Sequence, residues 1–210
     1  MKYIVLLANS KKYGERCIAG IELQKSKGSW SILRNSEGLP KWIRPVSNSK
    51  HGEISASIAD QFSLLDVVEI DIAEEVPKGF QAENCLIQSI SKTGNVRISA
   101  RNLQMLTDRQ HSKLFNFRGR SVSVEYVKAV DYSLMLIEPE NFVTIAVERE
   151  FGKVQKRGQF TYQGNDYDLP ITDVDFVVGS EKGKKCFLTI SLGVEYEGWH
   201  YKLIAGVVSV

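Results

Sequence analysis

The sequence is poor in the residue types that usually announce chemistry. Its 210 residues hold three cysteines and three histidines, scattered along the chain. Cys17, Cys85 and Cys186 are odd in number and far apart. No pair has the short spacing of a zinc knuckle or a redox motif, and they read as small buried hydrophobes in a reducing cytoplasm. No apolar run approaches the length of a membrane span. The opening run, residues 1–8, is short, and Asn9, Lys11, Lys12 and Glu15 follow where a small-residue cleavage site would be needed. It reads as a first core strand rather than a signal peptide, so a soluble, cytoplasmic protein is expected.

Phosphate loops and activated nucleophiles are missing as well. Residues 179–185, Gly-Ser-Glu-Lys-Gly-Lys-Lys, lack the spacing and the hydroxyl residue of a P-loop and read as a charged hairpin turn. No Gly-x-Gly-x-x-Gly occurs, no serine sits in a nucleophile elbow, and no cysteine has an identifiable histidine partner. His51-Gly52-Glu53 opens like a zinc deaminase signature, but no Pro-Cys-x-x-Cys follows. The best metal candidates are Asp166, Asp168, Asp173 and Asp175, since clustered carboxylates hold hard divalent cations. Pro170 puts a turn between the two pairs, and alternating acids also protect strand edges. A metal-dependent nuclease on these four is the least favoured reading. The sequence predicts no enzyme: no catalytic residue, no metal and no cofactor.

What is present is β structure. Short runs rich in β-branched and aromatic residues recur at 3–8, 17–23, 30–34, 42–46, 64–72, 85–90 and 96–99, then at 121–128, 134–138, 142–149, 159–162, 187–192 and 201–208. Turn residues punctuate them at 92–95, 163–166 and 196–199. Helix signals are few. Thr107-Asp108-Arg109-Gln110 has the form of a capping box ahead of Leu114 and Phe115, and Ile54, Ile58 and Phe62 are spaced by four. A chain of this length accommodates two small closed or half-closed barrels, divided near the helical segment, or one larger β-sandwich.

Charge is distributed unevenly. Residues 1–50 carry ten Lys and Arg against three Glu, although the whole chain has a net charge of only +2. Such a segment is either a polyanion-facing surface or a solvated face of lysines. Within it, Leu39-Pro40-Lys41-Trp42-Ile43-Arg44-Pro45 puts an aromatic and a guanidinium two positions apart, on one face of a short strand bounded by prolines. With Lys12, Arg16 and Arg34, this pair makes a stacking and phosphate-neutralising set of the kind single-strand binders use. The structural alternative buries Trp42 in the core and pairs Arg44 with Glu53 or Asp66.

Residues 4–10, 16–20, 42–47 and 65–70, with 168–173, 187–192 and 201–205 near the C-terminus, resemble a bacterial family of dual OB-domain-containing proteins. The resemblance covers most of the chain. It implies two small OB-like β-barrels in tandem with one or two short helices, here 1–115 (basic) and 116–210. It also implies a nucleic-acid-binding role in prokaryotic defence systems, and it supplies no catalytic residues. The expected protein is mainly β and non-catalytic, binding nucleic acid, preferably single-stranded, through Lys12, Arg16, Arg34, Trp42 and Arg44. A protein-interaction module docking a partner enzyme is the alternative.

Overall fold

The recurrent β runs become thirteen strands, and the computed structural model, which describes residues 1–210, divides them between two units, Met1–Ile98 and Ser99–Val210. The first unit contains β1 (Lys2–Lys12), β2 (Glu15–Ser26), β3 (Ser29–Ile32), β4 (Trp42–Val46), α1 (Ala56–Ala59), β5 (Asp66–Glu75) and β6 (Asn84–Asn95). β1 pairs antiparallel with both β2 and β5, β2 with β4, and β5 with β6. The ring closes through a parallel pair, β4 with β6, while β3 hangs on the free stretch of β2. This is a closed five-stranded barrel, the OB architecture. Ile4, Leu6, Ile18, Ile43, Val68 and Ile70 fill it, joined by Ile54, Ala59 and Phe62 from around α1. Asn9 secures α1 to β1 by donating from Nδ2 to the carbonyls of Ala59 and Phe62, both at 3.0 Å.

The second unit contains α2 (Ala100–Gln104), β7 (Ser121–Ser123), β8 (Leu134–Ile137), β9 (Glu140–Glu148), β10 (Val154–Tyr162), β11 (Asn165–Pro170), β12 (Cys186–Tyr196) and β13 (Trp199–Ser209). β8 and β9 are separated only by Glu138-Pro139, and together they serve as one bent first strand. β9 pairs with β10, β10 with β11, β8 with β12, and β12 with β13. The ring is joined by a single parallel bridge, Ile171 to Ile204. The connectivity matches the first unit in a more open form: two OB-like barrels, mainly β, as expected. No helix is long and apolar enough to cross a membrane.

Several local expectations are corrected. The division falls between Ile98 and Ser99 rather than after residue 115. Leu103, Leu106, Leu114 and Phe115 are buried, and the Asp108 amide donates to the Leu136 carbonyl while that of Leu114 donates to Tyr167 Oη. The segment 99–115 is therefore part of the second barrel. Its helix starts earlier than the capping box suggested: Ser99 caps α2 by accepting from the Asn102 amide. Asp108 uses its carboxylate on the amides of Gln110 and His111 in a turn instead. Residues 92–95 lie within β6, and of 121–128 only the first three are strand.

Candidate nucleic-acid interface

The residues predicted to form one surface are dispersed by the β1–β2 pairing. Lys12 and Arg16 sit at its turn end, where Lys12 faces Glu15 and Lys11 faces Arg16. Trp42 faces Ile21, five residues further along β2 and about 17 Å away. Lys12 Nζ donates to the His51 carbonyl at 2.6 Å. Arg16 forms a two-pronged pair with Asp60, at 2.6 and 3.0 Å. Arg34 is exposed and braces its own loop, donating from Nη1 to the Gly38 carbonyl at 2.7 Å. Arg44 is only 3% exposed, with Nη2 3.1 Å from Glu83 Oε1. It is therefore an internal ion-pair residue, and its partner is neither Glu53 nor Asp66, the latter pairing with Lys92 at 2.8 Å.

The basic N-terminal segment is answered within its own unit. Residues 51–98 carry eight Asp and Glu against three Lys and Arg. Their carboxylates reach back in Glu75 to Lys2, Asp60 to Arg16 and Glu83 to Arg44. Sequence proximity overstated the field that a polyanion would meet.

Strand register assembles a different group. Tyr3 faces Leu23, Leu23 faces Ile32, Lys25 faces Trp30, and Ile21 faces Trp42. Directly opposed residues share a face and side chains alternate along a strand, so all of these lie on the outer side of the barrel wall, opposite Ile4, Ile18 and Ile43. The Tyr3 and Trp30 ring centroids are 5.1 Å apart, and Lys25 Nζ lies 5.5 Å from the Trp30 centroid. Ile21 and Leu23 are buried, so this face is open chiefly at its outer end, where Lys25 is exposed and Trp30 half-buried. Half-buried Trp42, opposite Ile21, lies about 13 Å back along β2. Exposed Lys27, in the β2–β3 turn with Gly28, adds a further cation. Lys41 Nζ, 2.9 Å from Glu22 Oε2, is held above the ordinary lysine pKa by that hydrogen bond.

Trp30, Lys25 and Tyr3 were missed from sequence. Lys27-Gly28 between two β runs was the available signal: a two-residue hairpin loop there sets Lys25 opposite Trp30.

The acidic residues of the second unit are occupied locally. Asp166 accepts from Thr161 Oγ1, Asp168 pairs with Arg157 at 2.7 Å, and buried Asp173 accepts from the amides of Val207 and Asp175. Burial pushes the Asp173 carboxyl above its usual pKa, against those two hydrogen bonds. No three His, Cys, Asp or Glu side chains come together as a metal site. His200 is buried, with Nδ1 2.9 Å from the Gly193 carbonyl oxygen.

Residues 2–207 match the family model described as a dual OB-containing domain. A comparison with curated proteins gives no match. Among solved structures, the chain is similar to a murine DNA-binding protein bound to double-stranded DNA, with 6% identity, a TM-score of 0.33, and 99% of this chain and 96% of that chain covered. It is similar to the Ifi202 HINa domain in complex with 20-base-pair double-stranded DNA, at 9% identity and a TM-score of 0.34, covering 99% and 93%. It is similar to the tetrameric p202 HIN2 domain, at 8% identity and a TM-score of 0.31, covering 100% and 91%. At these identities and scores the likenesses carry no argument about a ligand.

Proposed function

The chain belongs to the dual OB-containing domain family, and on that premise we propose that it is a non-catalytic protein that binds single-stranded nucleic acid at the outer lip of its first barrel. The observation that carries this reading is the Tyr3, Lys25 and Trp30 cluster on the wall where β1, β2 and β3 lie side by side. β2 is the second barrel strand and its partner β4 the third, and this pair forms the face OB-folds use for oligonucleotides. Half-buried Trp30 is the stacking ring at the lip, with half-buried Trp42 further back along β2, and exposed Lys25, Lys27 and Arg34 supply the cations that would neutralise phosphates. Stacking requires an unpaired base, which is why single strands suit the lip better than duplex.

The test is fluorescence anisotropy of labelled single-stranded DNA, single-stranded RNA and duplex at about 50 and about 200 mM salt. Single strands should bind more tightly than duplex, with affinity falling as salt rises. Trp30→Ala should weaken binding by about 5- to 150-fold, the equivalent of about 1–3 kcal/mol for one stacked base. Salt-independent binding, or an unchanged affinity for Trp30→Ala, would refute the proposal.

A further inference from the structure

The first barrel has an unpaired strand edge. β5 covers one edge of β6 from Cys85 to Asn95, whereas β4 covers the other only at Asn84, Cys85 and Leu86. β4 ends because the chain turns away at Ser47, whose Oγ donates to the Glu53 carbonyl, with the Gly52 amide closing the loop onto Ser49. From Ile87 to Lys92 the second edge of β6 has no strand beside it. It lines a groove of about 880 Å³ whose opposite wall includes Ser47, Ser55, Ile58, Gln61 and Phe62.

We propose that this groove takes an extended peptide of a protein partner, added as a strand alongside β6. Alternate amides and carbonyls of an antiparallel strand point to opposite sides, so part of the backbone of 87–92 faces the groove with its hydrogen-bonding capacity open. Natural edges are usually blunted by proline or by charge. Here the run is Ile-Gln-Ser-Ile-Ser-Lys, and its one charge is drawn to Asp66. Exposed Ser89 and Ser91 alternate with half-buried Ile90, which packs on the core, and Ile58 stands at the lip 42% exposed. These features suit a backbone ladder with apolar side chains at alternate positions.

The charge on the groove chooses between peptide and polyanion. Glu15 and Glu53 line it, Lys92 is its only cation, and its one ring, Phe62, is buried. Carboxylates without an accessible ring repel a nucleic acid and favour a peptide bearing Lys or Arg. This site is separate from the β2–β3 lip and does not depend on it.

The test uses the full chain and a fluorescein-labelled pool of Lys-Xaa-Thr-Xaa-Thr-Xaa-Lys peptides, with Xaa drawn from Val, Ile, Leu and Phe. The control pool is the same with alternate amides N-methylated, which keeps the side chains and removes the ladder. The unmethylated pool should bind saturably, the methylated pool about tenfold or more weakly, and amide exchange should slow within 87–92. Ile58→Arg should weaken peptide binding by about tenfold or more while leaving the unfolding midpoint and oligonucleotide affinity unchanged. Absent binding, equal binding of both pools, protection elsewhere, or displacement of the peptide by an oligonucleotide would each overturn the proposal. Trp30→Ala should leave peptide binding intact, so this site and the nucleic-acid lip fail or stand separately.

Discussion

Two buried cations, Arg44 and Lys202, are held in opposite ways. Arg44 meets the carboxylate of Glu83, itself nearly sealed from solvent. Arg44→Ala leaves that carboxylate buried without its ion-pair partner and should destabilise the protein by about 3–5 kcal/mol in chemical denaturation. The Arg44→Met, Glu83→Gln double variant should lose much less, because neither charge is then stranded. Lys202 is 0% exposed and has carbonyls in place of a counter-ion. Its Nζ donates to the Phe117 and Gly119 oxygens at 2.5 and 2.9 Å and lies 5.4 Å from the Tyr167 ring centroid. Burial pushes its pKa down from 10.5 to about 7. Between those values the unfolded chain holds a proton that the folded chain has released, so stability rises with pH across that window and is lost as pH falls through the folded value. One such proton is worth at most about 1.4 kcal/mol per pH unit, so urea midpoints at about pH 7.5 and about 8.5 should reveal a gain of roughly 1 kcal/mol. Lys202→Met should abolish that gain, and a slope unchanged in the variant would place the titration elsewhere. At this scale sequence reading was half informative. Alternation alone set Trp42 and Arg44 on one face, but nothing in the sequence paired Arg44 with Glu83, thirty-nine positions away, or sealed Lys202 from water.

Among the elements, the β1–β2 hairpin sets the geometry of the first barrel. Its register shifts between Leu6 and Ala8, and at that irregularity Gly20 faces Leu6. A Cβ on Gly20 would lie 2.1 Å from the Val5 carbonyl oxygen, a backbone atom that cannot swing away. Gly20→Ala should therefore cost about 3 kcal/mol or more, read as a lowered thermal midpoint, and a neutral effect would show that the hairpin can shift its register. The same hairpin explains why the predicted binding residues separate. Lys12 and Arg16 belong to its turn, and Trp42 pairs toward its other end. Strand existence was legible from β-branched runs, and the tight turns at Gln163-Gly164 and Glu197-Gly198 do join β10 to β11 and β12 to β13. Which strands become neighbours was not legible. The parallel β4–β6 pair joins segments separated by a helix and a whole strand, and periodicity carries no trace of such a choice. Thr107 shows the related failure for caps, because its hydroxyl donates back to the Gln104 carbonyl at 2.8 Å and so closes a turn where the sequence suggested a helix start.

For the whole molecule, the partition at Ile98 is the feature with most consequence. A fragment of residues 99–210 retains Leu103, Leu106, Leu114 and Phe115, all buried, and should give a dispersed NMR spectrum. A fragment of 116–210 lacks them and should lose that dispersion, since removing even one such side chain from a core costs about 2–5 kcal/mol. Equal dispersion in both would return the boundary to the neighbourhood of residue 115. The charge asymmetry also resolves at this scale, because the acids of 51–98 fold back onto the bases of 1–50. Local periodicity, turn chemistry and residue order were enough to establish the β class, the strand-rich halves and the family resemblance. Tertiary contacts alone bury Arg44 against Glu83, bring Tyr3, Trp30 and Lys25 together at the outer lip, and leave β6 with an open edge. Each of those depends on register and burial between segments distant in the chain, which no local pattern encodes.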